Sequence, residues 1–261
     1  MKHLITCVLG LFTAAAVVAT AAHAPARADR LVYIGTYTNE TIKGIYAFRF
    51  DDSTGALTPL GLAAETSSPS FLIASADGRF VFAVNELATF EGAPGSVSSF
   101  SVDRATAKLT QLSVQATKGA GPCHLALDKT GRYLAVANYS GGNFSLFPVG
   151  TDGKLQPAIA TVAGEAEPPA PPPPGGAPAR PVQKLGHFVA FDATNKFLIT
   201  SDKGLDKLLV FKFDAATGKL TPNQPPSASL PPRTGPRHFA FSPDSKWLFS
   251  KIGRASCRER V

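Results

Sequence analysis

A phrase of alternating apolar residues occurs four times in the chain and constrains the fold more than any other feature. Each copy alternates apolar and small residues, passes a turn of Asp, Asn, Gly or Ser type, and returns as a second apolar stretch. The copies begin at Pro69, Pro122, Gly186 and Pro236. Period-two alternation indicates strands, and a short polar turn between two such runs indicates a hairpin. The sequence therefore predicts four equivalent β-hairpins.

A second repeated hairpin accompanies the first. Its copies begin at Gly44, Gly95, Gly142 and Lys207. Two hairpins, and hence four short strands, in about 50 residues are typical of one blade of a β-propeller. We therefore predict an all-β fold, a β-propeller of four-stranded blades, with about four and a half blades in this chain.

Three segments stand outside the repeat. Residues 1–28 hold an apolar run that ends in small-x-small cleavage patterns, so we predict a signal peptide and a periplasmic or secreted protein without stable membrane insertion. Residues 164–181 hold eight prolines, which cannot join a sheet, and should form a loop. Residues 251–261 lack the alternation and look like a non-native, vector-derived tail. A partial propeller domain then covers residues 29–250.

The charge and the cysteines exclude other classes of protein. The formal net charge is +7, but most of the excess lies in the two terminal segments. A basic face is therefore not implied, and we expect no nucleic-acid partner. Cys7 lies in the signal peptide and Cys257 in the tail, which leaves Cys123 alone and no disulfide framework.

Candidate catalytic residues cluster at one point of the repeat. His124, His187 and His238 each lie just before the first strand of a hairpin, and Ser70 has the same place in an earlier copy. Matching positions in successive blades surround one axis, so we expect the three histidines to face a common channel. Arg237, next to His238, could bind a carboxylate or phosphate through two parallel hydrogen bonds.

Polar residues also follow the second strand of each hairpin. Glu86 and Asp202 could orient a histidine or act as a base. Asn85, Asn138 and Tyr139 lie at matching points, where they could contact a substrate. Three histidines on one axis could bind zinc, but nothing in the sequence brings them to a common centre, so we expect no metal and no cofactor.

Several motifs, in order over residues 31–250, resemble one known family, the seven-bladed β-propeller lactonases. The motifs include 33–38 (YIGTYT), 82–86 (FAVNE), 121–124 (GPCH) and 235–238 (GPRH). That group includes the 6-phosphogluconolactonase type and the carboxy-muconate lactonizing enzymes. The resemblance implies seven blades, of which this chain would hold a truncated and inactive part. It also implies a hydrolase that opens a sugar-acid or related lactone and is monomeric when full length.

The resemblance also suggests roles for the candidate residues. His124 or His187 would activate water, with Glu86 and Asp202 orienting these bases. Arg237, helped by a loop arginine, would bind the oxyanion or an acidic substituent of the sugar derivative. That second arginine is Arg180.

Two other functions stay open at this point. The arginines would also suit a carboxy-muconate-type lactonizing reaction. A propeller of the cell envelope could instead be a non-enzymatic binding scaffold, because a fold alone does not decide a function. Val182 and Leu185 replace an acidic residue and a histidine that the family often has, which weakens the case for 6-phosphogluconolactone as the substrate.

Overall fold

A computed structural model describes residues 30–89, 92–165 and 183–253. Within these ranges the chain forms seventeen strands and no helix. The strands are β1 (Arg30–Ile34), β2 (Gly44–Phe50), β3 (Leu57–Glu65), β4 (Leu72–Ala74), β5 (Phe80–Asn85), β6 (Ser96–Val102), β7 (Leu109–Ala116), β8 (Pro122–Leu127), β9 (Tyr133–Asn138), β10 (Asn143–Pro148), β11 (Ala160–Val162), β12 (Gly186–Phe191), β13 (Phe197–Asp202), β14 (Lys207–Asp214), β15 (Lys219–Ser229), β16 (Pro236–Phe241) and β17 (Leu248–Ile252).

The strands form five antiparallel sheets in chain order. β1–β3 form the first, β4–β7, β8–β11 and β12–β15 form three four-stranded sheets, and β16–β17 form the last. In each four-stranded sheet the first repeated phrase supplies strands one and two, and the second phrase supplies strand three. The second phrase also supplies β7 and the start of β15, whereas in the copy that begins at Gly142 Leu155 forms an isolated bridge with Val149 and β11 follows the phrase. The prediction of an all-β partial propeller with four-stranded blades is therefore confirmed, and we call the sheets blades 1 to 5.

The apolar core lies between neighbouring blades. Ile45 of blade 1 packs with Phe100 of blade 2, and Phe82 of blade 2 packs with Leu134 of blade 3. Similar clusters join blades 3 and 4 and blades 4 and 5. Burial of one such side chain contributes about 1.5–3 kcal/mol, so these contacts hold the blades face to face.

The turns of the first hairpins are closed by an aspartate and by a residue with positive φ. In blade 3, Oδ1 of Asp128 accepts the backbone N–H groups of Arg132 and Tyr133. Gly131 has a φ of 68°, a left-handed conformation that glycine adopts without a steric penalty. Asn195 takes the same conformation in blade 4 and donates from Nδ2 to Oδ2 of Asp128. The turns of adjacent blades are thereby joined.

In blades 3, 4 and 5 the first strand faces the first strand of the neighbouring blade and begins irregularly. β8 contacts β4 and β12, and β12 contacts β16. In blade 3, Pro122 pairs with Asn138 and His124 with Ala137, which leaves Cys123 as an extra residue. β12 and β16 shift register in the same region. Such bulges redirect a side chain, and here they bring residues at the strand starts into a cavity.

Several predictions concern residues that the structure does not describe. They are the signal peptide, residues 166–181 of the proline-rich stretch, which include Arg180, and residues 254–261 of the tail. β17 ends at Ile252, two residues past the predicted domain boundary. In the described part of the chain no helix is long and apolar enough to cross a membrane.

Candidate active site

Three sets of equivalent positions surround the centre of the fold, and we call them tiers. The tiers appear when the four hairpins are aligned on their opening Pro or Gly. The first tier follows that residue and contains Ser70, Cys123, His187 and Arg237. The second tier comes next and contains Phe71, His124, Phe188 and His238. The third tier follows β5, β9 and β13 and contains Glu86, Tyr139 and Lys203, with Tyr37 in the corresponding place after β1.

This alignment corrects the expectation that the three histidines share one repeat position. His187 belongs to the first tier, whereas His124 and His238 belong to the second. The three side chains are nevertheless close. The ring centroids of His187 and His238 are 5.3 Å apart, and those of His124 and His238 are 5.9 Å apart. The expected convergence on one region therefore occurs, although the positions are not equivalent.

A cavity of about 370 Å³ opens where the tiers meet. This volume lies within the usual range of small-molecule sites. Its lining consists of Tyr37, Ser70, Phe71, Glu86, Cys123, Tyr139, His187, Arg237 and His238. A larger hollow of about 470 Å³ lies among hairpin turns of blades 2 and 3, but its lining contains no histidine. Its Asp77 and Arg79 bind each other, so we place the chemistry in the smaller cavity.

Arg237 and His187 form a hydrogen-bonded pair on the cavity wall. The Arg237 Nε–H group donates to His187 Nε2 at 2.9 Å. Burial first, and then the charge of Arg237, lower the pKa of His187 to about 4, so the imidazole is neutral at pH 7. Because Nε2 accepts a hydrogen bond, the proton lies on Nδ1. The interaction fixes one edge of the guanidinium and leaves its terminal N–H groups for a ligand.

His124 lies beneath this pair and is not part of the cavity lining. Its ring is stacked between Phe71 and Phe188, at centroid distances of 4.2 and 4.0 Å, and only 5% of the residue is exposed. Nδ1 accepts the backbone N–H of Val189 at 3.4 Å. Burial, followed by the neighbouring histidines, lowers the pKa of His124 to about 3. The geometry therefore makes His124 a neutral packing residue rather than one that contacts water.

Glu86 is the one carboxylate of the cavity lining. Its Oε2 accepts a hydrogen bond from the Tyr37 hydroxyl at 2.8 Å and a short one from Ser70 Oγ. Burial, and then the hydrogen bond to Glu86, raise the pKa of Tyr37, so the phenol stays protonated and acts as the donor. Glu86 is thus held by one hydroxyl from blade 2 and one from the segment after β1.

Two further cavity residues are linked to their neighbours. Lys203 Nζ donates to the Tyr139 hydroxyl at 3.0 Å, and the Tyr139 ring contacts His187 edge to face at 5.7 Å. Cys123 is placed by its bulge, and burial first and then Glu86 raise the pKa of its thiol to about 12. A neutral thiol is a poor nucleophile, so Cys123 contributes to the wall rather than to the reaction.

The structure does not bring Asp202, Asn85 or Asn138 into the cavity. Oδ1 of Asp202 accepts backbone N–H groups of Leu185, Gly204 and Leu205 at 2.9–3.0 Å, so Asp202 stabilises a loop instead of orienting a histidine. Burial raises the pKa of this carboxyl.

The two asparagines also have structural contacts. Asn85 donates to Thr66 and to the Ser67 carbonyl, and Asn138 donates to the Thr117 carbonyl. Both lie one residue before the third tier, on the face of the strand that turns away from the cavity.

Tyr37 and Lys203 were missed in the sequence, although a signal was present. Lys203 follows the second strand of its hairpin at the position of Glu86 and Tyr139, so alignment of the copies would have found it. Tyr37 precedes the four copies and lies in the motif 33–38, which would have had to be aligned with them. Ser70 was noted only as the counterpart of the histidines. In the described ranges no group of three or more His, Cys, Asp or Glu residues is arranged to hold a metal ion.

A family model described as lactonase, 7-bladed β-propeller, matches residues 31–251. The chain belongs to this lactonase family. A 6-phosphogluconolactonase of Bacillus subtilis is 30% identical to this propeller lactonase over 217 residues, which are 83% of this chain and 58% of the relative.

Two solved structures resemble this propeller lactonase in fold and sequence. A Bacteroides fragilis protein, provisionally named a 6-phosphogluconolactonase, has a TM-score of 0.75 at 34% identity and covers 88% of this chain and 62% of its own. The periplasmic gluconolactonase of Pseudomonas aeruginosa has a TM-score of 0.73 at 32% identity, with coverage of 85% and 61%. The chain thus spans about three fifths of the length of these relatives.

Proposed function

We propose that this propeller lactonase hydrolyses the ester bond of a sugar-acid lactone, in a reaction of the 6-phosphogluconolactonase type. The observation that carries the proposal is the pair of Arg237 and neutral His187, 2.9 Å apart, in the same small cavity as the carboxylate of Glu86. The named activities of the relatives support the same reaction class.

The chemistry of lactone opening requires what this cavity offers. A water molecule needs a base, and the carbonyl oxygen needs a hydrogen-bond donor or cation where negative charge develops. The terminal N–H groups of Arg237 can donate to the carbonyl oxygen as its negative charge develops. His187 keeps the guanidinium in place because its neutral Nε2 accepts from Arg237 and adds no competing charge.

The charges around the cavity favour an acidic substrate. Lys203 binds Tyr139 of the lining. Lys203 and Arg237 together outnumber the single carboxylate of the lining, Glu86. We therefore propose a lactone that carries a carboxylate or phosphate, or that is derived from an acidic sugar.

We also propose that the protein is exported. Residues 1–28 have the composition of a signal peptide, and the Pseudomonas aeruginosa neighbour is a periplasmic enzyme. A substrate in the periplasm or outside the cell would fit this location.

The first prediction concerns Arg237. In a full-length protein that contains residues 29–250 together with the remaining blades, we expect turnover of gluconolactone or 6-phosphogluconolactone. Arg237→Ala should reduce kcat about 10²–10³-fold, because the oxyanion loses its donor. Arg237→Lys should recover only part of the rate, since an ammonium cannot reproduce the Nε contact with His187. Spectrophotometric lactone hydrolysis measures the effect.

Arg79→Ala is the control, because this arginine binds Asp77 on the surface and lies outside the cavity. Its rate should equal that of the unaltered protein. Normal turnover in Arg237→Ala, or no turnover of any lactone by the unaltered protein, would contradict the proposed function.

A further inference from the structure

We infer that Glu86 is the base that activates water in this cavity, and that Tyr37 and Ser70 are positioning residues that hold its carboxylate. The inference rests on the proposed lactonase function and assigns the reacting base within it. Neither hydroxyl residue was a candidate for this role in the sequence.

The hydrogen bonds of Glu86 leave one oxygen available. Within the described residues, both hydrogen bonds that its carboxylate accepts end on Oε2, from Tyr37 and from Ser70. Oε1 is therefore the atom that can accept a proton from water. Two donors on one oxygen also fix the rotation of the carboxylate, so that Oε1 keeps a constant direction. The main chain is held as well, because the Glu86 N–H donates to the Ser68 carbonyl at 2.9 Å.

The histidines are less suited to this role. His124 is stacked between two phenylalanine rings and does not line the cavity. His187 already uses its basic nitrogen, Nε2, to accept from Arg237. His238 lines the cavity, but burial and then the charges of Arg237 and Lys251 lower its pKa and make it a weaker base. Glu86, by contrast, lines the cavity, and its Oε1 accepts no hydrogen bond from the described residues.

The proposed step is balanced in atoms and charge. Water gives a proton to Glu86 Oε1 while its oxygen forms a bond to the lactone carbonyl carbon, and the carbonyl π electrons move to the oxygen that Arg237 binds. When the tetrahedral intermediate collapses, the bond between the carbonyl carbon and the ring oxygen breaks. The proton on Glu86 then passes to the alkoxide leaving group, which gives the open hydroxy acid and restores the carboxylate.

Glu86→Gln tests the base directly. The amide can still accept one of the two hydroxyl hydrogen bonds, so we expect a folded protein with kcat reduced about 10²–10⁴-fold and with little change in KM. The acid limb of its pH–rate profile should disappear. Circular dichroism and thermal unfolding establish that the variant is folded. Glu65→Gln is the matched control, because Glu65 is exposed at the end of β3 and lies outside the cavity. This variant should keep the reaction rate and the acid limb of the pH–rate profile.

Tyr37→Phe tests the positioning role. Without this donor the carboxylate is less firmly oriented, so kcat should fall about ten-fold while KM changes little. Ser70→Ala should act in the same direction. Tyr33→Phe is the matched control, because its hydroxyl donates to the Ala107 carbonyl away from the cavity, and its loss should leave both kinetic constants unchanged.

The outcomes separate this inference from the proposed function. If Arg237→Ala abolishes turnover while folded Glu86→Gln keeps at least a third of the rate and an unchanged acid limb, the base assignment is wrong and the lactonase proposal stands. If Tyr37→Phe and Ser70→Ala lower only the thermal stability, their positioning role is wrong. Absence of lactone turnover in the unaltered protein would contradict both the lactonase proposal and the assignment of Glu86 as its base.

Discussion

Burial controls the protonation of the histidines at the centre of this molecule. His124 and His187 are 5% and 8% exposed, and burial is the largest cause that lowers the pKa of each, to about 3 and about 4. Both are therefore neutral when the chain is folded at pH 7. His187 needs this state in order to accept from Arg237, whereas His124 needs it in order to remain between Phe71 and Phe188.

This neutrality predicts a loss of stability in mild acid. In the unfolded chain a histidine has a pKa near 6.5, so below that pH the unfolded state binds more protons than the folded state. The free energy of unfolding should fall as pH decreases from about 6.5 toward the folded-state pKa, by up to about 1.4 kcal/mol per pH unit for each of the two histidines.

His124→Gln should reduce this dependence roughly by half, because one of the two buried histidines is then absent. Urea unfolding between pH 6.5 and 5 measures the slope of the free energy of unfolding for both proteins. Asp202, whose pKa is raised by burial, opposes this trend but is present in both proteins, so it does not change the difference between their slopes. An unchanged slope in His124→Gln would show that this ring is already protonated or accessible in the folded chain.

The site shows which residue roles a sequence can reveal. Three of the histidines could be predicted to converge because the repeat places their strands around one axis. The roles of individual side chains depended on a single-residue shift, which places Cys123 and His187 on a bulge and His124 on the inner face. Asp202 illustrates the same limit. A carboxylate at the end of a strand can face a ligand or accept backbone N–H groups, and the conformation of the following loop determines which of the two occurs.

At the scale of elements, the aspartate turns stabilise hairpins and connect blades. Asp128 is buried, and its two oxygens accept from Arg132, Tyr133, Thr130 and Asn195. Burial alone would raise the pKa of Asp128, but hydrogen bonds from Asn195 and Thr130 outweigh it and lower the pKa. The ionised side chain is therefore the form that the folded turn stabilises.

Asp128→Ala should destabilise the fold by about 2–3 kcal/mol, because several partly buried donors lose their acceptor together. Asp214→Ala is the control. It removes a comparable turn aspartate that is exposed and binds only Ala216 and Thr217 nearby, so its loss should be much smaller. Chemical denaturation of both variants measures the difference, and equal losses would show that the contact between blades at Asn195 has no energetic role.

The strand pattern was more predictable than the blade edges. Period-two alternation located both strands of each first hairpin because the turn residues are constrained by geometry, as at Gly131 and Asn195, which have positive φ. The end of β17 at Ile252 was not predicted, because Lys251 interrupts the apolar pattern while Ile252 beyond it still pairs with Pro236. The alternation of apolar side chains can be read from the sequence, whereas the hydrogen-bonded pairing of the backbone at the end of a strand cannot.

At the scale of the whole molecule, blade 5 presents a large apolar surface to solvent. Trp247 and Phe249 are 67% and 64% exposed, and β17 pairs only with β16 among the described strands. Exposed aromatic side chains beside and on a strand that is paired along one edge favour association between molecules. The 261-residue chain by itself should therefore self-associate at micromolar concentration.

The double substitution Trp247→Gln and Phe249→Gln should shift this chain toward smaller species in size-exclusion chromatography with light scattering. Ile159→Gln serves as the control, because Ile159 is half exposed but lies away from blade 5. A monomeric parent chain, or identical elution of the double variant and its parent, would contradict a role of this surface in association.

Three hydrogen bonds at the cavity each join two neighbouring blades. Tyr37 with Glu86, Lys203 with Tyr139, and Arg237 with His187 each connect residues of two successive blades. A small rotation of one blade against the next would therefore alter a reacting distance directly. Substitutions in the apolar seams, many ångströms from any ligand, should be able to tune turnover, and a bound ligand should in turn make those seams more rigid.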